Sequence, residues 1–276
     1  MTRFAVLPLA LVAAACSAPA REAPATHALA NFAVAAPSPT AKVEPFAPRL
    51  AASPLVAPGR YRCPAGMLEI PQVGKDRSFC IDRWEASLVE VGSAGEAPFS
   101  PFVPVDGHRV RAVSTPNVLP QGYISAVQAA DACKASGKRL CSLGEWRRAC
   151  RGPERRAYGY GDRREPGRCN DRGKNPVITL YGRGRWNWTT MNRPELNQLD
   201  GTLARTGAHE GCTNGYGVYD MVGNLHEWVA DRDGTFSGGY YQDVASVGHG
   251  EGCGYVTTAH EARYHDYSTG FRCCAD

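Results

Sequence analysis

Two short helices, followed by a long run of loops and short strands held by disulfides rather than by continuous sheets, are what the sequence predicts. Three observations carry that reading. The stretch "YISAVQAADACKASGKRLCSLGEWRRACRG" (123–152) holds two legible helix caps, Tyr158 to Asp276 is rich in Gly, Asn, Asp and aromatics with few periodic runs, and ten cysteines follow residue 60.

The chain has 276 residues, 43% hydrophobic and 21% charged, enough to bury a core in one large domain or two small ones. Its formal charge of +4 is too small for this length to demand nucleic acid, and no nucleic-acid partner is expected. Residues 1–16, "MTRFAVLPLALVAAAC", place one Arg before an apolar run too short to span a bilayer, which reads as an export signal. Its end resembles a bacterial lipobox, with Cys16 as the lipidated residue; cleavage after "APA" (18–20) is the other processing route. Either predicts the oxidising bacterial cell envelope, lipid-anchored or periplasmic/secreted. Residues 17–59 form an Ala/Pro-rich tether: "APSPTAKVEPFAPRLAASPLVAPG" carries six prolines and no hydrophobic period, so it cannot repay its ordering entropy. The folded unit is expected over 60–276.

In the middle of the chain, Ser125 and Gln128 form one capping box with Gly137 as its stop, and Ser142 and Glu145 form a second with Gly152 as its stop. Ala126, Ala129, Ala130 and Cys133 make a small-residue stripe on the first helix, and Leu143, Trp146 and Cys150 share a face of the second. The ten downstream cysteines allow on the order of 945 pairings, and spacing alone chooses none of them. With no C-x-x-C in the chain, disulfides are favoured over a zinc knuckle.

The order of "FCIDRWEAS" (79–87), "SAVQAADACKASGKRLCSLGEWRRACRG" (125–152), "NGYGVYDMVGNLHEW" (214–228), "SGGYY" (237–241) and "TGFRCC" (269–274) resembles the formylglycine-generating enzymes, or sulfatase-modifying factor domains. The resemblance runs from about Cys63 to the C-terminus. It implies a single α+β domain of the formylglycine-generating-enzyme fold, distantly C-type-lectin-like, with little regular secondary structure. It also implies the disulfides Cys133–Cys273 and Cys150–Cys253. The remaining cysteines then suggest Cys63–Cys80, Cys169–Cys212 and Cys141–Cys274, with Cys133 and Cys141 interchangeable because their partners are adjacent.

The sulfatase-activating members use a cysteine pair that binds copper(I), shortly after a Gly-Gly-Ser motif; soft thiolates suit that ion. Here "GGYYQDVASVGHGEGC" puts Tyr240 at the serine, Asp243 near the first cysteine, and the second within 247–250, while His226 replaces a tryptophan of the Glu-Trp motif. Copper is therefore not expected, and His226, Tyr240 and Asp243 are left as the candidates for any residual chemistry, with His249, His260 and His265 nearby in sequence. "HEARYH" (260–265) spaces its histidines i, i+5, about 140° apart on a helix, so it is no zincin site. Nor is there a nucleophile elbow, a phosphate-binding lysine loop or a dinucleotide fingerprint.

The resemblance further implies a calcium ion held by Asp220, Gly223, Leu225 and Glu227, and a second cation site at Asn170 and Asp171. A hard cation wants converging oxygens and glycine lets a chain curl around it; a hydrogen-bonded corner is the alternative. The stretch 147–174 carries nine arginines and one lysine against four acids, suited either to an anionic cell-surface polymer or to internal pairing. The expectation is an exported, lipid-anchored, non-catalytic module, stabilised by disulfides and calcium, that binds a protein or polymer ligand or serves a structural role; a divergent oxidoreductase or protein-modifying enzyme of the cell envelope is the alternative.

Overall fold

The computed structural model describes residues 63–246 and 248–276. The export signal, Cys16 and the tether lie outside the described residues, and among those residues no helix is long and apolar enough to cross a membrane.

The chain opens with a hairpin of β1 (Met67–Ile70) and β2 (Phe79–Asp82), then β3 (Ser87–Gly92), β4 (Gly95–Pro98) and β5 (Val110–Val113), which form a separate antiparallel sheet in the order β4-β3-β5. Helix α1 (Ala126–Ala135) follows, then β6 (Arg139–Leu140) and helix α2 (Leu143–Arg151). Both expected capping boxes form: Ser125 accepts from the Gln128 amide and Ser142 from the Glu145 amide, with each N3 side chain returning to its cap. The buried stripe of α1 is Ala126, Ala129, Ala132 and Cys133. Ala132 takes the place expected for Ala130, which is half-buried, because the helix presents a slightly rotated face to the core.

Beyond α2 the elements shrink, as a loop-rich sequence requires. They are α3 (Pro176–Tyr181), α4 (Trp188–Met191), β7 (His226–Trp228), β8 (Phe236–Ser237), β9 (Ala245–Ser246), β10 (Gly250–Glu251), β11 (Val256–Thr257), β12 (Thr269–Phe271) and β13 (Cys273–Ala275). They complete two four-stranded sheets, β1-β2-β13-β6 and β11-β8-β7-β12, and a hairpin of β9 with β10. Only the β7–β12 pair is parallel among the described ladders, with His226 opposite Thr269 and Trp228 opposite Phe271.

Five disulfides tie these pieces together: Cys63–Cys80, Cys133–Cys273, Cys141–Cys274, Cys150–Cys253 and Cys169–Cys212. Cys273 and Cys274 do not exchange partners, because neighbours on a strand point to opposite faces. Cys273 lies with Cys133, Trp228 and Phe271 in one buried cluster; Cys274 lies with Cys141, Trp146 and Ile81 in another. Each closure contributes about 2–4 kcal/mol by restricting the unfolded chain, which offsets the scarcity of regular ladders.

Candidate functional site

The turn "DMVGN" (220–224) sets up the site. Asp220, Gly223 and Asn224 all adopt left-handed φ (58°, 79° and 59°), the conformation that Asp, Asn and Gly tolerate best. A side chain at Gly223 would place its Cβ 2.3 Å from the Asn170 carbonyl, so only glycine fits. The turn delivers the chain into β7, whose alternation then sends His226 and Trp228 to one face and Glu227 to the other.

Glu227 faces a buried ionic cluster. Arg272, fully buried, forks onto it through Nε–Oε2 (2.7 Å) and Nη2–Oε1 (2.6 Å), and Trp146 Nε1 donates to Oε2 at 2.6 Å. The guanidinium also donates to the Asp82 carbonyl (3.1 Å) and the Tyr219 carbonyl (2.8 Å). Glu85 accepts from Asn224 Nδ2 (2.6 Å) and the Leu225 amide (3.2 Å), and Asp220 accepts from the Gly207 amide (2.7 Å). Burial, reinforced by Asp220 and Glu227, holds the Glu85 carboxyl well above its ordinary range; burial likewise raises Asp220 to about 6, with Glu227 adding to the rise.

Asp220, Gly223, Leu225 and Glu227, the expected calcium ligands, are neighbours here, and both Glu227 oxygens accept from Arg272 and Trp146, so the carboxylate has a guanidinium as counter-charge. The residues of the second expected site are also paired internally. Asp171 accepts from Arg164 Nε (2.7 Å) and the Gly167 amide (2.7 Å), while the Asn170 carbonyl accepts from the Asn224 amide (2.9 Å). Among the described residues, no group of three or more His, Cys, Asp or Glu is placed to hold a metal ion.

On the opposite face of β7, His226 is buried against aromatic rings: Phe236 at 4.4 Å, Tyr240 at 4.8 Å and Tyr255 at 5.5 Å between centroids. Burial, with smaller contributions from His249 and His260, lowers its pKa to about 3, so the ring is neutral at any physiological pH. Its Nδ1 is buried with no hydrogen-bond partner among the described residues. Behind it, Gly238 and Gly239 make a turn that no other residue could occupy: a Cβ would meet the Met221 carbonyl at 2.6 Å or the Asp243 carbonyl at 2.1 Å. The turn that follows pairs the Tyr240 and Asp243 backbones, and Asp243 accepts the Tyr255 hydroxyl (3.0 Å), which in turn meets His249 Nδ1 (3.1 Å).

The fold thus brings His226, Tyr240, Asp243 and His249 into one network with Tyr255. His260 lies beyond Phe236, stacked on Tyr264 at 3.6 Å, and His265 turns away to Asn192 (2.7 Å) and Trp188 (4.6 Å). Sequence reasoning missed Tyr255, Glu85 and Arg272. The last two had a visible signal, a charge inside the otherwise apolar stretches "WEAS" and "GFRC".

All ten cysteines among the described residues are in disulfides, Cys253 included. The basic stretch divides in two. Arg156, Arg164 and Arg168 pair with Asp162, Asp171 and Glu165, whereas Arg147, Arg148, Arg151 and Arg155 line a cleft of about 460 Å³.

A sequence profile of the sulfatase-modifying factor enzyme 1-like domain matches residues 80–275. The formylglycine-generating enzyme of Streptomyces coelicolor is 32% identical over 152 residues, covering 54% of this chain and 43% of that protein. The chain therefore matches less than half the length of that relative. The crystal structure of CarF is similar with a TM-score of 0.39 and 19% identity, over 76% of this chain and 95% of that one. With its landmarks, its disulfide framework and a profile match over most of its length, the chain belongs to the sulfatase-modifying factor enzyme 1-like family.

Proposed function

We propose that this protein is an exported, lipid-anchored binding module that keeps the family's scaffold and has exchanged its thiol chemistry for an aromatic and histidine-lined recognition site. One observation carries this reading: every cysteine from 63 to 274 is held in a disulfide, so the described domain offers no thiolate pair to copper(I) or to a substrate cysteine. Tyr240, Asp243 and His249 are half-buried and offer an aromatic ring and polar edges over the buried His226 and Tyr255, a combination suited to a protein or polysaccharide ligand. The disulfides accord with an extracytoplasmic location, and the lipobox-like Cys16 supports the anchor.

A divergent enzyme is the second reading, favoured by the orphaned Nδ1 of buried His226. Thiol titration of the exported protein under denaturing, non-reducing conditions tests the first. No free thiol among the ten cysteines is expected, together with no turnover of a cysteine peptide in the presence of copper(I). Two reactive thiols that disappear on alkylation along with such turnover would overturn the binding-module reading.

A further inference from the structure

Five large hydrophobic side chains are exposed among the described residues: Val127, Ile178, Leu180, Trp186 and Trp188. All but Val127 fall between residues 178 and 188. The local structure explains why they stay outside. Asn175 caps α3 and Pro176 opens it; Val177 is buried beside Tyr123 and Tyr241, and Tyr181 is tied to Glu195 at 2.5 Å. That pins one side of a six-residue helix and leaves Ile178 and Leu180 on the other. Gly182 and Gly184, both at left-handed φ (78° and 81°), then turn the chain, and Asn187 caps α4 so that Trp188 leans on Tyr264 and His265 while its indole remains 51% exposed.

The charge around this segment has one sign. From Arg172 to Arg193 the sequence contains Arg172, Lys174, Arg183, Arg185 and Arg193 and no Asp or Glu. Of these, only Arg193 has an ion-pair partner among the described residues, Glu195. The four clefts of about 460–700 Å³ at Val105–Arg111, Gln72–Ser78, Ala126–Leu140 and Arg147–Arg155 draw no lining residue from 175–192. A fluid lipid interface needs no cleft. It accepts indoles at the headgroup level, takes up aliphatic side chains just below, and presents phosphates to arginine forks.

We propose that residues 176–191 are an interfacial membrane contact, in which Ile178, Leu180, Trp186 and Trp188 enter the headgroup region of an anionic leaflet and Arg183 and Arg185 pair with lipid phosphates. The contact is distinct from any acyl anchor: it orients the folded domain on the surface, whereas an anchor only keeps it nearby. It is independent of what the His226 face binds.

Depth-resolved tryptophan quenching tests it on the exported chain, with vesicles of phosphatidylcholine or of phosphatidylcholine with phosphatidylglycerol, each carrying bromine on the acyl chains near the headgroup. The readout reports where indoles sit rather than whether the chain is attached; of the three other tryptophans, Trp146 and Trp228 are fully buried and Trp84 is half-buried, so their signal is the background that the Trp186→Ala/Trp188→Ala protein supplies. Expected are a blue shift and strong quenching on the phosphatidylglycerol vesicles, reduced on neutral ones. The Trp186→Ala/Trp188→Ala protein should lose the quenched component, and Arg183→Gln/Arg185→Gln should lose the preference for phosphatidylglycerol. Unchanged near-ultraviolet circular dichroism of the remaining chromophores in the arginine variant checks that the fold is intact. Absence of quenching on anionic vesicles overturns the proposal. So does quenching that survives in the double-tryptophan protein, or a dimer in sedimentation that this variant splits and lipid leaves intact, which would make the surface a contact between copies.

Discussion

His226 and Glu227 are adjacent in sequence and live in opposite environments. Glu227 is met on both oxygens by Arg272 and Trp146. His226, one residue earlier on the same strand, has aromatic rings for neighbours and an Nδ1 with no hydrogen-bond partner among the described residues. The strand's two-residue period separates them, and burial acts on both by the same rule: a charge survives only where a counter-charge is fixed beside it. The difference teaches which face has its polar atoms saturated and which keeps one unsatisfied. A saturated ionic cluster holds the chain in register; an unsatisfied neutral imidazole in an aromatic surround is where a partner still has something to gain.

The largest effect is expected from breaking the saturated face. Arg272→Ala leaves Glu227 buried without its counter-ion and should cost about 3–5 kcal/mol, read as a fall in the denaturant midpoint at constant slope. A loss below about 1 kcal/mol would mean that water or another cation replaces the guanidinium, and the two faces would no longer differ in kind.

The next effect concerns the unsatisfied face and pH. His226 has a folded pKa near 3, below the ordinary value of about 6.5 that applies when unfolded, so the unfolded chain binds more protons between those values. Stability attributable to this ring is therefore intact above about pH 6.5 and declines as pH falls toward 3, by about 2 kcal/mol at pH 5. His226→Phe should flatten that part of the pH dependence of the melting temperature. An identical profile in wild type and variant would show that the ring is hydrated and protonates in place.

The smallest effect is expected from chelation. Because Arg272 already neutralises Glu227 and Arg164 already pairs with Asp171, removing divalent cations should leave the melting midpoint unchanged. A chelator-induced fall that Glu227→Gln abolishes would show instead that a cation displaces the guanidinium in solution.

Local features were legible before the fold was known. Capping boxes announce themselves over four residues, so α1 and α2 were placed from Ser125, Gln128, Ser142 and Glu145. The Gly-Gly turn and the landmarks around it marked the site region. What escaped was whatever depends on a distant partner. That Arg272, 45 residues on, supplies the counter-charge of Glu227 is not visible in the local sequence. Ala132 rather than Ala130 completes the α1 stripe, a matter of how the helix rolls against the core. Residues 175–192 read as an ordinary loop, because hydrophobic composition does not say whether Trp186 and Trp188 find a core to enter.

By itself, the sequence determined the helix starts, the crosslinked loop-rich class, and the absence of a cysteine between Gly239 and Cys253. These follow from short-range sterics, local hydrogen bonds and the identity of single side chains. Only the tertiary structure decided which of Cys273 and Cys274 meets Cys133, which charge satisfies Glu227, and which tryptophans remain at the surface. Those outcomes rest on strand alternation and on burial, and burial belongs to the whole chain.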